Sequence, residues 1–229
     1  MARAEDCAIW RVDLDAPDAL RWQTLLSDPE RSRAAAFVFA KDRLRYTAAH
    51  GALRHLLASH AGIEVEAQVF STGEFGKPAL RDRPDIAFSL SHSQSTALVA
   101  IGSVALGVDL EVLRPLDDMH ALAQVHFTAA EQRWLASSDP ASQLRVFLTC
   151  WTRKEACLKA LGTGLSLDTR SVDVDMARAA NGSARVDAGA FGLLSVSSFA
   201  VGTGAVGAIA RVQPRGPLHR GDRQAELCA

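Results

Sequence analysis

A chain of 229 residues, 48% hydrophobic and 22% charged, can bury a substantial core as one large domain or as two of about 100 residues each. Its 25 Lys plus Arg nearly cancel its 26 Asp plus Glu, so the net charge of −1 supplies no global field for nucleic acid or an anionic membrane, and any anion must be gripped locally. No apolar run approaches the roughly 18 residues that a membrane span needs, and the opening MARAEDCAIWRVDLD lacks a signal-peptide core, which points to a cytoplasmic protein.

CAIWRVDLD alternates like a strand, and DALRWQTLLSDPERSRAAAFVF reads as helical segments broken near Pro29. DRLRYTAAHGALRHLLASHAG predicts a long helix with Leu44, Ala48, Leu53, Leu56 and Leu57 on its apolar face and Gly62 as its stop. Lys41 and Arg45, four apart near its start, add a cationic edge beside free backbone N–H groups, or else are simply solvated. IEVEAQVF alternates as a strand, STGEFGKPALRDRPD is a turn-rich loop, and IAFSLS, TALVAIGS and LGVDLEVL are short strands with no room for helical crossovers. FTAAEQRWLASS offers a capping box in Thr128 and Glu131, followed by the helix FLTCWTRKEACLKALGTGL and the strands SVDVDM, LLSVSSFAV and GAVGAIARV.

The order of these elements implies an α+β fold with two similar halves, each a small, largely antiparallel sheet packed on helices, related by a pseudo-twofold and separated by a ligand cleft. The expected division is residues 1–103, residues 104–212 carrying most of the chemistry, and a loosely held tail over 213–229 rich in Pro, Gly and charge. Cys7, Cys150, Cys157 and Cys228 form no C-x-x-C pair and read as reduced thiols without metal.

Asp109 and Glu111 in GVDLEVLRP sit two apart on a strand, so both carboxylates face the same side. Their repulsion is relieved by solvent, by a basic partner such as Arg114, or by a hard cation. A third carboxylate, Glu155, converging on that face from the second-half helix would make three oxygen ligands suited to Mg²⁺, and the lack of a His or Cys cluster argues against zinc. Lys159 lies one helical turn beyond Glu155: as an ordinary surface pair the two contribute only about 0.2–0.5 kcal/mol, whereas a sheltered lysine neutralises a developing phosphate charge. Only four of the basic residues are lysines, and a compact ammonium is a different chemical choice from this chain's usual guanidinium. His92, with the Ser91 hydroxyl, is a candidate phosphate donor at a strand end; Lys77 in GEFGKPAL is a candidate anion contact on a glycine-rich turn.

In this order, GKP, FSLSHS, GVDLE and WTRKEACLKALGTGL resemble the 4′-phosphopantetheinyl transferase superfamily, and more narrowly its monomeric, two-halved, surfactin-synthetase-activating branch, over roughly residues 25 to 175. The resemblance implies transfer of phosphopantetheine from coenzyme A to a serine of an apo acyl, peptidyl or aryl carrier protein in secondary metabolism, with release of adenosine 3′,5′-bisphosphate. It implies Asp109, Glu111 and Glu155 as ligands of Mg²⁺ or Mn²⁺, and Glu155, Lys159 and His92 as catalytic groups. Lys41, Arg45, Lys77, Ser91, His92 and Lys159 would contact coenzyme A, and no nucleic acid, membrane or second copy of the chain would be needed. The rival readings are a metal-dependent phosphodiesterase or nuclease, and a non-catalytic coenzyme A or carrier-binding module.

Overall fold

A computed structural model describes residues 7–179 and 183–213. The alternating N-terminal segment is strand β1 (Cys7–Asp13). The expected break near Pro29 is a helix start: α1 (Asp28–Ala35) opens with a reciprocal capping box between Ser27 and Glu30, and the proline occupies the first turn, where its missing N–H leaves nothing unpaired. Helix α2 (Ala40–Ala61) ends at Gly62, whose φ of 64° provides the left-handed cap. Leu44 departs from its expected place in the core and is 46% exposed, because burial on α2 begins only at Ala48.

IEVEAQVF does not form the expected long strand. The Gln68 amide donates to the carbonyls of Arg54 and Ile63, both at 2.9 Å, holding the segment back against the end of α2, and Val65–Ala67 coils into a 3₁₀ turn. Only its last residue, Phe70, enters a strand, β2 (Phe70–Thr72), which forms a hairpin with β3 (Pro78–Leu80); Ser71, Thr72 and all of β3 lie within the stretch expected to be all loop. Strands β4 (Ala87–Ser93), β5 (Thr96–Gly102) and β6 (Leu106–Val112) follow as the alternation and short turns require.

Helix α3 (Met119–His126) was not anticipated; α4 (Ala129–Ala136) starts at the expected Thr128/Glu131 capping box. Helix α5 (Gln143–Leu161) carries the WTRKEACLKAL stretch and ends at Gly162 with φ 74°. A short helix, α6 (Met176–Ala179), precedes β7 (Ser183–Asp187), β8 (Leu193–Ala200) and β9 (Ala205–Val212). One antiparallel sheet has the order β1-β5-β4 and packs on α2; the other has the order β6-β9-β8-β7 and packs on α5. In both, the strand that comes first in the chain pairs with the one that comes last. The architecture is α+β with antiparallel sheets on helices, and among the described residues no helix is long and apolar enough to cross a membrane. Cys7, Cys150 and Cys157 are free thiols; Cys228 and the tail from residue 214 lie outside the described residues.

SVDVDM was expected as a strand and is instead a short irregular link between a 3₁₀ turn ending at Ser171 and α6, pinned by side chains. Val172 and Val174 alternate into the core, but their backbone partners come from helices. Lys154 Nζ donates to the carbonyls of Thr169 and Val172 at 2.8 and 2.7 Å, the fully buried Arg153 donates twice to the Val174 carbonyl at 3.0 and 2.9 Å, and Glu131 accepts the Val174 N–H at 2.9 Å. Lys154 also pairs with Glu131 at 2.8 Å, both side chains almost wholly out of water. This gives Lys154 a structural task that its position on α5 did not reveal. Lys154→Ala leaves Glu131 without its buried partner, so the unfolding free energy should fall by about 3–5 kcal/mol, read from the urea midpoint.

Candidate functional site

The site begins with a glycine. A Cβ on Gly107 of β6 would lie 2.2 Å from the Ala156 carbonyl oxygen, 2.4 Å from the Ala160 nitrogen and 2.7 Å from the Lys159 Cβ, so helix α5 rests directly on the strand backbone. Small residues on both elements, Gly107 opposite Ala156 and Ala160, permit that approach. It brings the next residues of each motif together: Asp109 two places along β6, and Glu155 and Lys159 on α5.

Asp109 is 4% exposed. Its Oδ1 accepts from Lys159 Nζ at 2.6 Å and from the Ser91 hydroxyl at 2.6 Å, while Lys159 also donates to Ser91 Oγ at 3.1 Å. Lys159 therefore reaches across to β6 and pairs with Asp109, in place of a surface pair along its own helix. Asp109 Oδ2 is buried without a hydrogen-bond partner. Burial, with Asp109 beside it, pushes the Glu111 carboxyl above its ordinary value against the pull of Ser93, Arg114 and Lys159. Burial likewise raises Glu155, with Asp109 and Glu111 adding to the effect and Lys159 opposing it. The three acids thus act on one another, although among the described residues no group of three His, Cys, Asp or Glu is gathered closely enough as it stands to enclose a metal ion.

Beside this cluster lies a cleft of about 410 Å³, within the range of ligand pockets, lined among others by His50, Phe75, Lys77, His92 and Lys159. His92 is held below its ordinary value by burial, then by the nearby His50, Lys159 and Arg45. Lys77 Nζ donates to the carbonyls of Leu106 at 2.9 Å and Ala160 at 3.3 Å, tying the β2–β3 hairpin to both β6 and α5, and burial lowers it to about 8. Arg45 is engaged by Asp15, with Nε to Oδ1 at 2.8 Å and Nη2 to Oδ2 at 2.5 Å, and Lys41 is exposed at the start of α2. Neither lines the cleft as described. A second, smaller cavity of about 150 Å³ is lined by Glu111, Arg114, Leu122, Phe147 and Trp151, among others.

Residues 105–208 match the family model of the 4′-phosphopantetheinyl transferase superfamily. The chain is similar to the 4′-phosphopantetheinyl transferase HetI of Nostoc sp. (strain PCC 7120), 38% identical over 170 residues that cover 71% of each chain. The chain belongs to the 4′-phosphopantetheinyl transferase superfamily. It is also similar to the 4′-phosphopantetheinyl transferase Sfp of Bacillus subtilis (strain 168), 29% identical over 170 residues, 72% of this chain and 75% of the relative. The psf-1 transferase of Bacillus pumilus is 32% identical over 141 residues, 62% of this chain and 60% of the relative.

For a transferase of this superfamily, the donor set fits a divalent cation. One carboxylate oxygen, Asp109 Oδ2, is buried and unanswered, two further carboxylates are raised by burial and by Asp109 beside them, and the available donors are hard oxygens. Several cleft residues escaped the motif reading. His50 Nδ1 lies 3.3 Å from Glu30 Oε1 and its ring stacks on Tyr46 at 4.0 Å. An ionised carboxylate only accepts, so Nδ1 carries the proton. Burial raises Glu30, but hydrogen bonds from His50, Arg54 and Ser27 outweigh it and bring the carboxyl down to about 2. The spacing of Ser27, Glu30, His50 and Arg54 over two helices carries no local motif. Ser89 was given no role, although its period-two alternation with Ser91 and Ser93 was visible in FSLSHS.

Proposed function

We propose that the chain transfers the 4′-phosphopantetheine group of coenzyme A to a serine hydroxyl of an apo acyl, peptidyl or aryl carrier protein, releasing adenosine 3′,5′-bisphosphate. The observation that carries this reading is the meeting of Lys159 with Asp109, 2.6 Å apart, at the edge of a cleft shared with His92, in a chain of this superfamily. Asp109, Glu111 and Glu155 would hold Mg²⁺, or Mn²⁺ in its place. The bound cation supplies neutralising charge for the coenzyme A pyrophosphate.

In this reading the nucleotide occupies the larger cleft. Lys159 and His92 donate hydrogen bonds to its phosphates, and Lys77, held by two carbonyls, fixes the loop that walls it. Lys41 and Arg45 act from outside the cleft, through the potential they add at the start of α2. Ser91 orients Asp109 and Lys159 together, through bonds of 2.6 and 3.1 Å. The carrier serine approaches from the side of the apolar cavity beside Trp151. Its Oγ forms a bond to the pantetheine-bearing phosphorus while the bond from that phosphorus to the bridging oxygen breaks. Glu155 accepts the serine proton, and Lys159 steadies the charge left on the departing phosphate. No covalent enzyme intermediate is required, and one chain supplies every group, so it works as a monomer.

Incubating the chain with coenzyme A, Mg²⁺ and a panel of apo carrier proteins should raise a carrier's mass by one phosphopantetheine. Cleavage of an oligonucleotide without carrier modification would instead favour a phosphodiesterase. Coenzyme A binding with no turnover on any carrier would reduce the chain to a binding module.

A further inference from the structure

Strands β4 and β6 are the facing edges of two different sheets, and three serine hydroxyls at alternate positions of β4 join them. Ser89 Oγ accepts the Val108 N–H at 3.1 Å, and Ser91 Oγ donates to Asp109 Oδ1 at 2.6 Å. Ser93 Oγ donates to Glu111 Oε2 at 2.7 Å and accepts the Val112 N–H at 3.3 Å. Side-chain hydroxyls here take the place of a backbone ladder between neighbouring edges. Their period of two matches that of Asp109 and Glu111, so each acid on β6 meets its own serine on β4.

We propose that Ser93 is a positioning residue that aims the Glu111 carboxylate at the divalent cation, and that the serine ladder sets the ligand geometry of both β6 acids. The inference rests on the cation-binding reading given above. A hydroxyl carries one hydrogen, and an ionised carboxylate can only accept, so the Ser93 hydrogen is committed to Glu111. The Val112 N–H fixes the oxygen from the other side, which leaves the hydroxyl no free rotation. Ser91 does the same for Asp109, spending Oδ1 and leaving the buried Oδ2 unanswered. Ser91 also touches Lys159, so its removal would mix two roles; Ser93 isolates the positioning effect.

The test is binding of Mn²⁺ to the purified full chain, read from the electron paramagnetic resonance signal of free Mn²⁺, with and without coenzyme A. Ser93→Ala should weaken Mn²⁺ binding by about 10–100-fold, the range found for partners that orient metal ligands. Ser93→Thr, which keeps the hydroxyl, should bind close to the wild-type chain, and circular dichroism and thermal unfolding recorded on the same samples should stay near wild type for both. Mn²⁺ binding unchanged in Ser93→Ala, while Glu111→Gln weakens it, overturns the positioning role and leaves the cation reading standing. No Mn²⁺ binding by the wild-type chain, even with coenzyme A, overturns both. A loss in Ser93→Ala that Ser93→Thr does not repair, accompanied by a lowered unfolding temperature in both, makes the serine a structural tie and also overturns the inference.

Discussion

Gly107→Ala should reduce carrier modification by at least about 100-fold, the scale associated with misplacing catalytic groups by roughly 1 Å. The added methyl meets the Ala156 carbonyl oxygen at 2.2 Å and the Ala160 nitrogen at 2.4 Å, and neither is the flexible end of a side chain. Strand and helix must separate, and the separation falls between Asp109 on one and Glu155 and Lys159 on the other. Overpacking of this kind typically costs about 1–3 kcal/mol, so the chain should still fold, with a lower urea midpoint. The two closest clashing atoms are main-chain and the third is the Lys159 Cβ, so trimming Ala156 or Ala160 to glycine should not restore the rate. The measurements are the initial rate of carrier mass gain and the urea unfolding curve. A folded Gly107→Ala chain that works at the wild-type rate would show that the close contact of β6 with α5 does not set the site.

That glycine also marks how far the sequence could be read. The spacing of Asp109 and Glu111 fixed their common face, and the spacing of Glu155 and Lys159 fixed theirs, because strand and helix periods are local properties. The meeting of the two faces is not local. Its physical sign in the sequence is a pair of small residues, Ala156 and Ala160, four apart on the helix and one glycine on the strand, each unremarkable alone. The same limit explains the segments read wrongly. SVDVDM has the alternation of a strand and does bury Val172 and Val174, but Lys154, Arg153 and Glu131 satisfy its backbone where a neighbouring strand was expected. IEVEAQVF alternates too, and Gln68 folds it back onto the end of α2. Alternation reports which side chains are buried; it does not report what satisfies the backbone between them. Arg45 illustrates a further gap, since its partner Asp15 lies thirty residues earlier, beyond any helical spacing.

Glu155→Gln should lower transfer by about 10²–10⁴-fold, the range for loss of a general base, and yet leave the fold at least as stable. The amide keeps the shape of the carboxylate and removes its charge. In the metal-free chain that charge is unfavourable: burial raises the Glu155 carboxyl, and Asp109 and Glu111 raise it further, more than Lys159 compensates. A folded-state value above the unfolded one means that the native chain holds the proton more tightly, so stability falls as pH rises through the unfolded value of about 4.3 and the folded value above it. Above the folded value the penalty is present in full, and glutamine removes it. In EDTA at pH 7 the variant should therefore unfold at an equal or higher urea concentration than the wild type, and the gap should close as pH is lowered below about 4, where the carboxyl is neutral in both states. Saturating Mg²⁺ should reverse the order, since the cation stabilises the chain that binds it. A variant that is slow because it is unfolded would fail the first comparison, and a variant that transfers at the wild-type rate would remove Glu155 from the chemistry while leaving its place beside Asp109 intact.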